Sequence, residues 1–139
     1  GWSPMIWELI GGAEQITVSL IEAEDKVDSG RVWKKITKKV PKHALWDEIN
    51  EILFSAEIEL INFAVNRFVQ IEPQEQSLNF EKQYYRRRSP EDSELNPALS
   101  IAEQFNHIRV CDPMRYPAYF DMYGQRFKLT LEKMNEQKD

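Results

Sequence analysis

The sequence has very few of the residues that build metal centres and disulfide frameworks. Its 139 residues include one cysteine, Cys111, and two histidines, His43 and His107. A single thiol excludes an intramolecular disulfide and a cysteine-rich zinc module. Cys111 also lacks a histidine or basic residue at a spacing typical of a reactive thiol. We therefore expect no metal and an inert Cys111.

Long apolar runs and an excess of positive charge are also missing. No stretch approaches the roughly 20 apolar residues that cross a bilayer. The formal net charge of −5 argues against a broad nucleic-acid surface, because Lys and Arg neutralise phosphates there. We expect a cytoplasmic protein with no membrane or nucleic-acid partner. The sequence begins with Gly1 rather than Met, and an upstream segment is expected.

Residue patterns predict a mixture of helices and strands. Periods of three to four residues indicate helices, β-branched alternating runs indicate strands, and Gly and Pro mark their ends. The predicted elements are a helix with Ser3 as cap and Pro4 first, ended by Gly11-Gly12; a strand at 16–21; a polar turn at 24–30; a strand at 31–40; a helix at 43–68; a loop at 70–97; a helix at 98–110; and a hairpin at 119–131.

The helix at 43–68 has the strongest pattern. Its apolar face is predicted to contain Leu45, Ile49, Ile52, Leu53, Ala56, Leu60, Phe63 and Ala64. Few predicted strands are available to cover so long an apolar helix. We expect either a homo-oligomer or further sheet strands outside these residues. Trp7, Trp33 and Trp46 are expected in the core.

Several short motifs resemble a known family. Gly1-Trp2-Ser3-Pro4, Gly11-Gly12, Thr17 and Val27-Asp28-Ser29-Gly30 are similar, in type and spacing, to segments of formyltransferases that use 10-formyltetrahydrofolate. This family includes methionyl-tRNA formyltransferases and sugar-nucleotide N-formyltransferases. The resemblance extends from the first residue to the hairpin and is strongest up to Gly30.

The resemblance implies an α/β fold. The chain would be the C-terminal half of a Rossmann-like formyltransferase domain, with a long amphipathic helix and a C-terminal β-hairpin. Residues 1–97 would belong to the catalytic domain. Residues 98–139 would form a helix-plus-hairpin extension of it.

The resemblance also implies a catalytic site in which Asp28 acts with an Asn and a His. Those two belong to an Asn-x-His motif that would precede Gly1, and His43 and His107 match neither. Without them the chain is not expected to catalyse the reaction unaided. Asp28 would accept the proton of the attacking amine. Glu24, Asp25, Lys26 and Val27 match the loop whose backbone lines the pocket for the pterin ring of 10-formyltetrahydrofolate, the formyl donor.

A second segment, residues 84–93, indicates the acceptor. Arg87, Arg88, Pro90 and Asp92 resemble a motif of the branch that formylates amino groups of nucleotide-linked sugars. Guanidinium groups suit a pyrophosphate, and a tyrosine such as Tyr84 can stack on a base. The alternative is an ordinary charged surface loop.

The resemblance therefore predicts transfer of a formyl group to a nucleotide-linked amino sugar, a small-molecule substrate. Two alternatives remain open. One is a methionyl-tRNA formyltransferase, although that branch carries a further C-terminal domain and the chain is acidic. The other is a noncatalytic binding fragment in which the turn at Asp28 is merely structural.

Overall fold

The computed structural model describes residues 3–76 and 85–134. The regular elements in chain order are α1 (Ile6–Ile10), β1 (Gln15–Ile21), β2 (Val32–Lys39), α2 (Trp46–Arg67), α3 (Ile101–Arg109), β3 (Ala118–Met122) and β4 (Gln125–Leu129). A 3-10 turn, Phe68–Gln70, continues α2, and a second one, Pro90–Ser93, precedes α3. The order of helices and strands matches the prediction.

The start of α1 differs from the prediction. Met5, with a left-handed φ of 62°, is the residue before the helix and makes no side-chain cap. The Ser3 hydroxyl instead accepts a hydrogen bond of 3.1 Å from the backbone N–H of Arg88. The prediction of Ser3 as the helix cap was therefore wrong. The predicted end is confirmed, since Gly12 has a φ of +92°, which favours glycine.

β1 and β2 form an antiparallel hairpin, and α2 packs on one face of it. Alternate side chains of a strand point to opposite faces, so Val18 and Leu20 of β1 and Ile36 of β2 contact the helix together. They meet Ala56 and Leu60 of α2. A neighbouring cluster joins the start of α2 to α1 and to the residue after α3 through Leu9, Ile49 and Val110, none more than 1% exposed.

The solvent side of α2 is also apolar. Phe54, Ile58, Ile61, Val65 and Phe68 follow one another at spacings of three and four residues and are 57–71% exposed. Such spacing places them in one stripe along the helix. The buried face of α2 agrees with the prediction. The predicted amphipathic helix would have polar residues on its outer face, whereas this exposed stripe is apolar.

The predicted C-terminal hairpin is confirmed. β3 and β4 are antiparallel and joined by Tyr123 and Gly124, whose φ values are 54° and 74°. Two left-handed residues suit a tight hairpin because they match the twist of its strands. The hairpin packs on a cluster that includes Leu95, Ile108 and Cys111. The division of the chain after residue 97 stays a prediction. Leu95, which precedes this division, packs in the same cluster as residues that follow it.

Two features of the described residues bear on other expectations. Both of their sheets are two-stranded and antiparallel, so these described residues contain no parallel sheet of the kind that a Rossmann-like domain has. Trp7, Trp33 and Trp46 are only partly buried, and the prediction that they form the core was wrong. Within residues 3–76 and 85–134, no helix has both the length and the apolar character needed to cross a membrane.

Candidate active site around Asp28

Asp28 lies in a tight turn at the end of the β1–β2 hairpin. The backbone N–H and the hydroxyl of Ser29 both donate to the carbonyl of Lys26, at 3.3 and 2.7 Å. Asp28 is the third residue of this four-residue turn and has a φ of 59°. Aspartate tolerates the left-handed region better than most residues. The local sequence therefore folds so that Asp28 occupies the left-handed position of the turn, where it is exposed.

The base of this loop is closed by the backbone and by an ion pair. The N–H of Glu22 donates to the carbonyl of Arg31 at 2.9 Å, and the Arg31 guanidinium donates to the Glu22 carboxylate at 2.6 and 3.1 Å. The Arg31 guanidinium holds the pKa of the Glu22 carboxyl below its usual range. The first and last residues of the ten-residue segment between β1 and β2 are thus joined to each other.

Two further residues shape the turn: Gly30, the last residue of the motif, and Gln76, which was not predicted. Gly30 is buried, and a Cβ there would lie 1.9 Å from the backbone oxygen of Glu22. The Gln76 side-chain amide donates to the backbone carbonyls of Asp28 at 2.8 Å and of Gly30 at 2.7 Å. No local signal could have linked Gln76 to a turn 48 residues earlier.

An open cavity of about 700 Å³ lies beside the turn, and Asp28 and Gln76 line it. β1 contributes more lining residues than any other element, and Met5 and Leu53 are among the other apolar residues of the wall. Small-molecule sites are commonly cavities of about 300–1,000 Å³ with largely apolar walls and a few polar groups. A second cavity, of about 430 Å³, lies between the start of α2 and residues 129–133 and contains none of the predicted site residues.

The predicted donor-binding residues are adjacent to the cavity in sequence but do not form its wall. Glu24, Asp25, Lys26 and Val27 are all exposed, Val27 by 82%, and none of them lines the cavity. The structure brings Asp28 to the cavity and leaves these four on the outer side of the turn. Their role in donor binding stays a prediction.

Two of the three predicted acceptor-binding residues, Arg87 and Arg88, lie within the part of the chain that the structure describes. Tyr84 falls outside the described residues. Arg87 is exposed, whereas Arg88 is partly buried and donates to the Asp92 carbonyl and the Ser93 hydroxyl, each at 3.1 Å. Arg88 thus packs inward and Arg87 outward. Binding of an acceptor by either arginine stays a prediction.

Asp92 organises the turn that follows these arginines. Its carboxylate accepts a hydrogen bond of 2.6 Å from Nη1 of Arg86 and a second bond from Nη2. It also accepts one of 2.7 Å from the backbone N–H of Ser89. The Arg86 guanidinium, assisted by this N–H, holds the pKa of the Asp92 carboxyl well below its usual range. His107 Nε2 donates to the Asp92 carbonyl at 2.6 Å, so His107 supports the same turn.

α1 connects the arginine segment to the Asp28 cavity. The indole N–H of Trp7, a residue of α1, donates a hydrogen bond of 2.9 Å to the carbonyl of Arg86. The indole ring also stacks on the ring of Tyr85, with 6.4 Å between the ring centres. The Arg86 guanidinium lies over the same indole, 5.0 Å from its centre. Glu8, the next residue of α1, lines the cavity. The arginine segment therefore contacts a short helix that also lines the Asp28 cavity.

Known structures resemble this arrangement, although no protein-family model and no curated protein matches the sequence. A methionyl-tRNA formyltransferase from Clostridium thermocellum superposes with a TM-score of 0.73 over 99% of this chain, at 23% identity. A 4-N formyltransferase from Francisella tularensis gives 0.74 over 97%, at 18% identity. The chain has the fold of the formyltransferases.

A third similar structure is HypX from Aquifex aeolicus in complex with tetrahydrofolic acid. It has a TM-score of 0.74 over 91% of this chain, at 19% identity. The chain spans 59%, 57% and 22% of the lengths of these three structures. It therefore corresponds to part of the fold of each longer protein.

Proposed function

We propose that Asp28 is a catalytic residue of an enzyme that transfers a formyl group from 10-formyltetrahydrofolate to an amine. The observation that carries the proposal is the position of Asp28. It stands on a braced turn beside a cavity of about 700 Å³, in a chain with the formyltransferase fold. A function must be argued from a site rather than from a fold alone. Here a residue of the family motif, Asp28, lines the cavity.

The cavity is suited to part of the donor. Its volume lies within the usual range for small-molecule sites, and apolar side chains such as Ile16 and Leu53 form part of its wall. When bound, 10-formyltetrahydrofolate supplies an activated formyl group. The exposed turn at Glu24–Val27 is proposed to contact its ring through backbone groups as the donor enters.

Asp28 is proposed to accept the proton that the attacking amine loses. An exposed carboxylate can take such a proton directly or through one water molecule. Acyl transfer also needs hydrogen-bond donors for the developing oxyanion. We propose that an Asn and a His outside these 139 residues take that role, because neither His43 nor His107 lines the cavity. His107 is hydrogen-bonded to Asp92.

The acceptor is proposed to be a nucleotide-linked amino sugar. Arg87 is an exposed residue of the segment whose Tyr85 and Arg86 pack on Trp7 of α1. A guanidinium suits a pyrophosphate and aromatic rings suit a base. Tyr84 and Arg88 complete the proposed binding segment.

The experiment uses the complete product of the gene that encodes this chain. It is incubated with 10-formyltetrahydrofolate and a panel of 4-amino-sugar nucleotides, and formylated product is measured by mass spectrometry. Asp28→Asn is expected to lower kcat by about 10²–10⁴-fold, the usual contribution of general base catalysis. Nucleotide binding should stay unchanged. Asp121→Asn, on the exposed hairpin, is the matched control.

Three outcomes separate the alternatives. Formylation of charged initiator tRNA but of no sugar nucleotide would move the protein to the methionyl-tRNA branch. Binding of tetrahydrofolate without transfer to any acceptor would identify a noncatalytic binding protein. Transfer that is equally fast in the Asp28→Asn variant would refute the role of Asp28 while leaving the activity itself in place.

A further inference from the structure

We propose that Gln76 is a positioning residue for Asp28. The inference rests on the function proposed above and assigns a role to a residue that no motif includes. Gln76 donates to the carbonyls of Asp28 and Gly30 through one nitrogen atom, Nε2, at 2.8 and 2.7 Å. A primary amide carries two N–H groups, so each carbonyl receives its own hydrogen.

The two carbonyls belong to the residues before and after Ser29, so the Gln76 amide spans residues 28–30 of the turn. Asp28 is held at a φ of 59°, a region that is unfavourable for a residue with a Cβ. Ser29 closes the turn on one side through its bonds to Lys26. Gln76 holds it from the other side and fixes the backbone from which the carboxylate extends.

The segment that contains Gln76 is itself anchored. Gln74 forms an antiparallel bridge with Val32 through two backbone hydrogen bonds of 2.7 and 2.9 Å. Val32 is the first residue of β2, directly after the Asp28 loop. Gln76 therefore lies two residues after a backbone pairing with the same hairpin that carries Asp28, and this pairing positions its amide.

The chemistry of the contact is specific to glutamine. Glutamate has the same size but, when ionised, has no N–H to donate and would place a negative charge against two carbonyl oxygens. Asparagine keeps both N–H groups but is one methylene shorter. Gln76 also lines the cavity that contains Asp28, so a change there acts next to the proposed reaction without removing the carboxylate.

The test compares Gln76→Glu, Gln76→Asn and a matched control, Gln74→Glu, in the complete gene product. Gln74 is exposed and pairs with Val32 through its backbone, so its variant adds the same charge nearby. We expect Gln76→Glu to lower kcat at least about 10-fold, with both KM values within about threefold and an unchanged melting temperature. Such a split indicates loss of transition-state alignment rather than of binding.

Hydrogen exchange of peptides covering residues 22–31 gives a readout that does not depend on turnover. Faster exchange in Gln76→Glu and Gln76→Asn, with the control unchanged, is expected. If exchange increases but the parent protein transfers no formyl group, the positioning contact stands and the proposed function fails. If the parent is active and kcat is unaltered in Gln76→Glu, or if exchange is unaltered, the positioning role is overturned.

Discussion

Gly30 and Glu22 lie so close that a Cβ on Gly30 would be 1.9 Å from the backbone oxygen of Glu22 and 2.7 Å from its carbonyl carbon. No real side chain tolerates such a separation, and the atoms in the way are backbone. The residue that ends the Asp28 turn must therefore be glycine, for a steric reason that does not involve its own φ.

Gly30→Ala is expected to destabilise the protein by about 1–3 kcal/mol, the usual cost of overpacking, and to reduce formyl transfer by displacing the turn. Gly11→Ala is the control, because a Cβ at Gly11 meets its nearest atoms at an ordinary 3.4 Å. Its free energy of unfolding should stay within about 0.5 kcal/mol of the parent value. Urea unfolding measures both, and equal effects would contradict the close approach.

Two adjacent residues of α2 should respond very differently to truncation. Leu60 is 3% exposed and packs on the hairpin, whereas Ile61 is 58% exposed on the apolar stripe. Leu60→Ala should cost about 2–5 kcal/mol because it leaves a cavity. Ile61→Ala should cost less than about 1 kcal/mol. Thermal and urea unfolding test this orientation of the helix, and a large loss at Ile61 would show that the stripe is covered.

Stability at low pH should depend on Asp92. Its pKa is depressed in the folded state by Arg86 and the Ser89 N–H, so its stabilisation is present above the unfolded value, about 3.9, and is lost as pH falls below it. The parent protein should therefore be more stable than Asp92→Asn near neutrality. The difference between their melting temperatures should narrow between pH 5 and pH 2.

The exposed pair Arg126–Asp121 is the control for this pH dependence, because side chains that are 61% and 49% exposed are strongly screened. Asp121→Asn should change the melting temperature much less at any pH. A difference between parent and Asp92→Asn that stays constant down to pH 2 would contradict the role of the carboxylate.

Arg87 is expected to affect acceptor binding alone. In the complete gene product, Arg87→Ala should raise KM for the sugar nucleotide about 10-fold, since a charge-assisted hydrogen bond is worth roughly 1.5 kcal/mol. The values of kcat and of KM for the donor should be nearly unchanged. Arg115→Ala removes an exposed arginine elsewhere and should leave all three constants unaltered. Identical kinetics in the two variants would remove Arg87 from the proposed site.

Much of the fold follows from short-range patterns. The period of three to four residues predicted α2 with bounds close to Trp46–Arg67, and alternation around Gly124 predicted the C-terminal hairpin. The resemblance singled out Asp28, and the structure places it on a turn that lines a cavity. These features depend on neighbouring residues, which is why they can be read from a sequence.

Contacts between distant residues could not be obtained in this way. The Ser3 hydroxyl bonds to Arg88 rather than to its own helix, because tertiary packing overrides the local preference for a cap. Periodicity predicted the face of α2 that meets the hairpin, but the exposed apolar stripe, which shares the same period, was not predicted.

The sequence by itself determined that Asp28 stands in a turn between two strands, since the motif, the small turn residues and the flanking β-branched runs are all local. Only the tertiary structure decided what holds that turn. Gly30 faces Glu22 across the closed loop, and Gln76 reaches Asp28 over 48 residues of chain. The first contact depends on how the β1–β2 hairpin closes and the second on where residues 74–76 lie beside it, and no pattern in the residues near Asp28 indicates Gln76.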